Sequence, residues 1–150
     1  MDRNVCVVTG ASSGIGRQIA IDFAKEGYDL VINYSSNHAS ALEVAKECEL
    51  YGSKTLVLGF DVSNGSEVEE KFKIIIETFG KIDVLINNAS AISLTPTLQT
   101  PMKRFDLMMG VNMRGTFLCG QACIPYLAKA ENPHILTLSP PLNMKAKWFK

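Results

Sequence analysis

The sequence has no surplus of either charge, since Lys+Arg 15 against Asp+Glu 15 leaves a formal net charge of zero. A phosphate backbone or an anionic membrane therefore exerts no overall pull on the chain, and neither nucleic acid nor membrane is expected as a partner. Nor does any apolar run approach the roughly 18 residues that a spanning helix needs. Met1-Asp2-Arg3 followed only by Val5-Cys6-Val7-Val8 does not make a signal peptide, so the expected address is cytoplasmic. Histidine is scarce, with only His38 and His134, and the cysteines Cys6, Cys48, Cys119 and Cys123 contain no Cys-x-x-Cys pair. Neither a metal centre nor a disulfide framework is expected. Cys119 and Cys123 lie four apart in an apolar helical pattern and could share a face, where free cysteine packs as a small hydrophobe.

What the chain does have is enough apolar material, 47% of 150 residues, for one soluble globular domain with a substantial core. Val5 to Val8 is wholly apolar and ends at Thr9-Gly10, the pattern of a strand covered on both faces. From Gly14 the period changes. Ile15, Ile19, Ala20, Phe23 and Ala24 recur at helical spacing until Gly27, which is placed to stop a helix. Leu30-Val31-Ile32 predicts a second strand, Ala39 to Tyr51 a second helix, and Thr55 to Leu58 a third strand. Val68, Phe72, Ile75, Ile76 and Phe79 mark a third helix with candidate caps at Ser63 or Ser66, and Val84-Leu85-Ile86 a fourth strand. One long helix is predicted from about Lys103 towards Lys129, kinked or frayed near Pro125, before a fifth strand from His134 to Leu138. Five strands alternating with helices imply an α/β fold with a doubly wound parallel sheet of the Rossmann type.

Thr9-Gly10-Ala11-Ser12-Ser13-Gly14-Ile15-Gly16 lies between the first strand and its helix, where a phosphate-binding turn belongs. Backbone must approach a pyrophosphate closely there, and a helix N-terminus offers unpaired N–H groups and a favourable dipole. The alternative is a turn that is merely structural.

With this turn in place, the sequence resembles the short-chain dehydrogenase/reductase family. Thr9 to Gly16 matches its cofactor motif, Asp61-Val62 its acidic residue after the third strand, Asn87-Asn88-Ala89 its Asn-Asn-Ala-Gly motif with Ser90 in the final place, and Val111-Asn112 a downstream asparagine. The first half looks most like 3-oxoacyl-carrier-protein reductases. From Asn87 onward the chain resembles citronellol dehydrogenases and hydroxysteroid-dehydrogenase-like proteins. The resemblance implies a sheet of order 3-2-1-4-5 and an NAD(P)-dependent oxidoreductase acting on a small carbonyl or alcohol. It also implies that Gly10, Ser12, Ser13, Gly14, Ile15 and Gly16 cradle the dinucleotide, that Asp61 and Val62 touch its adenine, and that Asn88 and Ala89 line the path to its ribose. Asn112 would hold a water in a proton relay; alternatively it bonds only to nearby backbone. Asp61 has a similar alternative as a turn or cap residue.

Cofactor choice rests on the end of the second strand, where an acidic side chain would favour the 2′-hydroxyl of NAD. Asn33, Tyr34, Ser35 and Ser36 stand there instead, and Asp29 lies at the strand's other end, so NADP is expected with NAD possible. Arg17 is the nearest candidate cation, or else a solvated helix residue.

The family's hydride chemistry needs a tyrosine as acid/base with a lysine four positions later, because an alkoxide is too basic to leave unprotonated. No Tyr-x-x-x-Lys occurs in the 150 residues, and Tyr126 to Lys129 is one residue too short. The pair is expected shortly after the fifth strand. The chain is therefore expected to be the N-terminal part of a longer enzyme, inactive alone. The alternative is a dinucleotide-binding or interaction protein without catalysis. Aligning the fifth strand puts Pro140 at the usual place of the substrate-orienting serine and Ser139 one residue early, so Ser139 is the candidate substitute, or else only a capping or strand-end serine. An open fifth-strand edge would favour pairing with a second copy, and a homo-oligomer is expected.

Overall fold

A computed structural model of the chain describes residues 3–139. Among them, β1 (Val5–Val8), β2 (Asp29–Tyr34), β3 (Thr55–Gly59), β4 (Val84–Asn87) and β5 (His134–Thr137) form one parallel sheet of order β3-β2-β1-β4-β5. The helices are α1 (Gly14–Lys25), α2 (His38–Glu49), α3 (Gly65–Phe79), α4 (Met102–Met109) and α5 (Thr116–Leu127). Strand side chains alternate between faces. Cys6, Val8, Leu30, Ile32, Val84 and Ile86 pack with Ala20, Ala24, Val44 and Cys48 of α1 and α2. Val5, Val7, Val31 and Leu85 pack on the other face with Phe72 and Ile75 of α3 and Cys119, Cys123 and Leu127 of α5. Because both faces are covered, β1 and β4 are buried along their whole length, whereas all four residues of the edge strand β5 are exposed.

Three expectations about local structure change. The cap of α3 is Asn64 rather than Ser63 or Ser66: its side-chain oxygen accepts from the N–H groups of Ser66 (3.1 Å) and Glu67 (3.3 Å), while Glu67 reaches back to the Asp61 N–H at 2.9 Å. Helix α2 starts at His38 and ends at Glu49, because Asn37 caps it by accepting from the Ser40 N–H at 3.0 Å. The single long helix from Lys103 to Lys129 is instead interrupted. A π-helical turn at Gly110–Gly115 separates α4 from α5, and apolar periodicity does not show it because α5 is apolar enough to read as one stripe in either phase. Pro125 sits inside α5, whose hydrogen bonding ends shortly beyond it.

Lys81 and Asp83 anchor the amino end of the sheet. The Asp83 carboxylate is buried, accepts from the Val5 N–H at 2.8 Å and pairs with Lys81 at 3.2 Å, so it completes the ladder where β1 begins. Removing it leaves a buried N–H without an acceptor, which costs about 1–3 kcal/mol. Asp83→Ala is expected to lower the unfolding free energy in urea by about that amount, and Asp83→Asn, which keeps an acceptor, by less. Equal stability of Asp83→Ala and the parent chain would show that the contact carries no weight.

Candidate functional site

The carboxyl ends of β1, β2 and β4 converge on the turn between β1 and α1. Gly10 has φ +62°, and a Cβ there would lie 2.9 Å from the Ala89 Cα. A Cβ at Gly16 would collide with the Asn88 amide and lie 2.5 Å from the Gly10 carbonyl. Only glycine fits at either place.

Three side chains hold this bare backbone. The Thr9 hydroxyl accepts from the N–H groups of Asn88 and Ala89, both at 3.0 Å. Asn88 donates its amide to the carbonyls of Thr9 (2.9 Å) and Gly10 (3.0 Å), tying the turn to the continuation of β4. Asn33 holds it from β2: its side-chain oxygen accepts from the Gly10 N–H at 3.0 Å, while its nitrogen donates to the Phe60 carbonyl at 3.1 Å. Asn33 stands, as expected from its place at the end of β2, beside the candidate cofactor site, and its amide is buried and spent on backbone. The first intrahelical bond of α1 runs from the Arg17 N–H to the Ser13 carbonyl, so the N–H groups of Ser13, Gly14, Ile15 and Gly16 precede it. They face the positive end of a 12-residue helix. The Ser13 hydroxyl caps nothing.

Above the turn lies a cavity of about 480 Å³ lined by Gly10, Ser12, Ser13, Ile15, Ser35, Ser36, Asn37, Asn88, Ala89 and Ser90. It shares Gly10, Ser35, Ala89 and Ser90 with a recess of about 230 Å³ whose further walls are Asn33, Phe60, Asp61, Val62, Ala91, Leu107 and Val111. The first cavity has no charged residue in its lining, and the recess has one, Asp61, whose carboxylate accepts from the Ser63 N–H (2.8 Å) and hydroxyl (2.7 Å). Arg17, read as a possible anion partner or a solvated residue, forms an ion pair with Glu47 of α2. A third cavity, of about 330 Å³, opens at the opposite end of the sheet. There Lys81 and Asp83 already neutralise each other, which makes it the weaker candidate.

Asn112 stands in the π-helical turn. Its side chain accepts from the Ala91 N–H at 2.8 Å and donates to the Ala91 carbonyl at 2.9 Å, so both ends of the amide are committed to the loop after β4. Ser139 is exposed beyond the carboxyl end of β5 and is not among the residues lining the two connected cavities. Pro140 lies outside the described residues. Sequence does not single out Thr9 as a clamp or Asn37, Phe60, Leu107 and Val111 as walls. The last two are four apart, a helical spacing that could have flagged them.

A family model of the short chain dehydrogenases matches residues 4–145. The chain belongs to the short-chain dehydrogenase family. Among its relatives, the hydroxysteroid dehydrogenase-like protein 2 of Danio rerio is 48% identical over 149 residues and that of Homo sapiens 49%. Each match covers 95% of this chain and 36% of the relative, so the chain spans about a third of the length of these proteins. Likeness to the hydroxysteroid-dehydrogenase-like branch thus extends across the first half as well as the second. A solved short chain dehydrogenase of Mycobacterium thermoresistibile superposes with a TM-score of 0.89 at 38% identity, over 100% of this chain and 56% of that one. Membership of the short-chain dehydrogenases implies a nicotinamide dinucleotide, and the glycine cradle, which any Cβ would fill, fits that group.

No described group of three or more His, Cys, Asp or Glu side chains could hold a metal, and no described helix is long and apolar enough to cross a membrane. The cysteines pack, as expected. All four are free and buried, and burial pushes the Cys48 thiol up to about 11 and those of Cys119 and Cys123 up to about 12. Burial likewise raises Cys6 well above the ordinary 9.0. Raised thiol values favour the protonated folded state, so their contribution is complete below pH 9 and is lost as pH rises towards 11 and 12. A disulfide reagent at pH 8 is expected to modify none of the four thiols in the folded chain within the time that all four react in denaturant. Rapid modification of one thiol in the folded state would contradict this burial.

Proposed function

We propose that the groove binds NADP(H), and that the chain is the cofactor-binding part of a longer enzyme interconverting a small carbonyl compound and its alcohol. The observation that carries this reading is the bare cradle, where Gly10 and Gly16 leave no room for a Cβ beside the open N-terminus of α1. Pyrophosphate is met by N–H groups and a helix dipole, not by a cation. The apolar recess between Phe60, Val62, Leu107 and Val111 suits a flat adenine, with Asp61 at its edge.

The hydroxyls of Ser35 and Ser36, with Asn37, form the wall beyond β2, where no carboxylate stands to repel a 2′-phosphate. When bound, the nicotinamide supplies or accepts the hydride. Asn112 serves that reaction by holding Ala91 in place through both ends of its amide, which keeps a second N–H and a second lone pair for a water of the proton relay. Ser139 is the candidate for orienting the substrate. The Tyr/Lys pair that moves the proton would come from sequence beyond these 150 residues.

Calorimetric titration of the chain should show NADPH binding at least about tenfold more tightly than NADH, as expected for one or two charge-assisted bonds to the extra phosphate. Ser36→Asp should reverse that order, and Gly16→Ala should abolish binding of both. Equal affinity for the two cofactors would remove the case for NADP. A second reading is dinucleotide binding without catalysis. Binding without hydride transfer by the complete natural gene product would establish it.

We also propose that the protein is a homo-oligomer. Phe105, Met109, Met113 and Phe117 follow one another at four-residue intervals through α4, the π-helical turn and α5, and all are 38–66% exposed. An apolar stripe of this kind favours a second copy over water. Sedimentation at rising concentration should show self-association that Phe117→Asp weakens. A species of monomer mass at every concentration would exclude it.

A further inference from the structure

In an α-helix each carbonyl receives the N–H four residues on. A π-helical turn shifts that partner by one, weakens the ladder, and needs support to persist. Support here comes from the first residue of α5. The Thr116 hydroxyl donates to the Asn112 carbonyl at 2.8 Å, while its own N–H reaches the Met113 carbonyl. Back-bonding of a threonine to the carbonyl four residues earlier bends a helix and holds its turn open. The far side of the turn rests on the opposite wall of the recess, because a Cβ at buried Gly115 would lie 2.6 Å from the Val62 side chain.

The turn therefore spans the recess, from Val62 on one wall to Ala91 on the other. Asn87, at the end of β4, is buried beside Val111, Gly115 and Thr116, yet its amide nitrogen has no acceptor among the described residues. Among the described residues, the polar link between the segment after β4 and the turn accordingly runs through Asn112, as two bonds to Ala91.

We propose that Thr116 is a positioning residue that acts through Asn112. Its hydroxyl holds the widened turn in the register that lets the Asn112 amide clamp Ala91, and so fixes the Ser90–Ala91 wall of the groove. The functional meaning of that wall rests on the dinucleotide reading above, but the mechanical coupling does not. Thr116→Val keeps the side-chain shape and removes the donor; Thr116→Ser restores the donor.

Amide hydrogen exchange on the full chain reads the coupling directly, because the Ala91 N–H is the group that Asn112 protects. Losing one hydrogen bond from the chain of three corresponds to roughly tenfold faster exchange at Ala91 in Thr116→Val. The amides of Val7 and Leu85 should be unchanged, and Thr116→Ser should return Ala91 to the parent rate. Unchanged exchange at Ala91 in Thr116→Val would overturn the proposal. So would an equal rise at Val7 and Leu85, which would mean general loosening, or failure of Thr116→Ser to restore protection. NADPH added to the parent chain tests the other reading separately: no slowing at Gly10 and Asn88 would sink the cofactor assignment while leaving the Thr116 result intact.

Discussion

The close approach of the β1–α1 turn to the end of β4 is the constraint on which the site depends. Gly10 and Ala89 come together so tightly that no side chain can stand between them. The gap is then held by hydrogen bonds between backbone and the side chains of Thr9, Asn88 and Asn33. Parallel pairing of β1 with both β2 and β4 makes this possible, because it brings three carboxyl ends level at one edge of the sheet. A ligand that lies along this edge meets N–H groups and small polar side chains. Most of the amide groups that hold the turn are therefore unavailable to the ligand.

That division of labour explains what the sequence could and could not reveal. The strands and the first three helices are legible because burial on both faces of a parallel sheet enforces apolar runs and clear helical stripes, as in Val5 to Val8 and Val68 to Phe79. The glycines are legible because few other residues tolerate the geometry. Asn33 illustrates the limit: its position at the end of β2 suggests contact with ribose, but position does not disclose that its amide faces Gly10 and Phe60. Sequence does not distinguish the cap of α3, because Ser63, Asn64 and Ser66 are all competent caps. The choice was made by Glu67, whose carboxylate binds both the Asn64 amide and the Asp61 N–H.

The interruption between α4 and α5 is the other feature hidden from periodicity. One residue inserted into a helical stripe rotates the later positions by about 100°, yet α5 is apolar enough that its stripe reads the same either way. Met113 and Phe117 are well exposed, while Cys119 and Cys123 take the buried positions. The widened turn also changes what Asn112 is. Read along a helix face, it is a polar residue open to solvent or a water; in the turn, its amide forms with Ala91 the paired contact that a neighbouring strand would otherwise make. Its carbonyl is in turn capped by Thr116. The asparagine that the resemblance assigns to a proton relay thus also clamps a wall of the groove through its side chain.

The balanced charge of the chain acquires a local meaning at the groove. Arg17, the cation nearest the turn, is engaged elsewhere, because it bridges α1 to α2 through Glu47. A helix N-terminus contributes about 0.3–1 kcal/mol to a nearby negative charge at an exposed site, and more where the site is partly closed. Several directed N–H groups add to this without the desolvation penalty that a buried lysine or arginine would carry. The groove can therefore hold a phosphate whose charge is spread over many weak donors. On the dinucleotide reading proposed above, discrimination between cofactors would fall to the neutral wall of Ser35, Ser36 and Asn37 rather than to the cradle. A single carboxylate introduced there would act at short range on a 2′-phosphate and would leave the N–H groups at the start of α1 untouched. Specificity and cradle are thus separable in this fold.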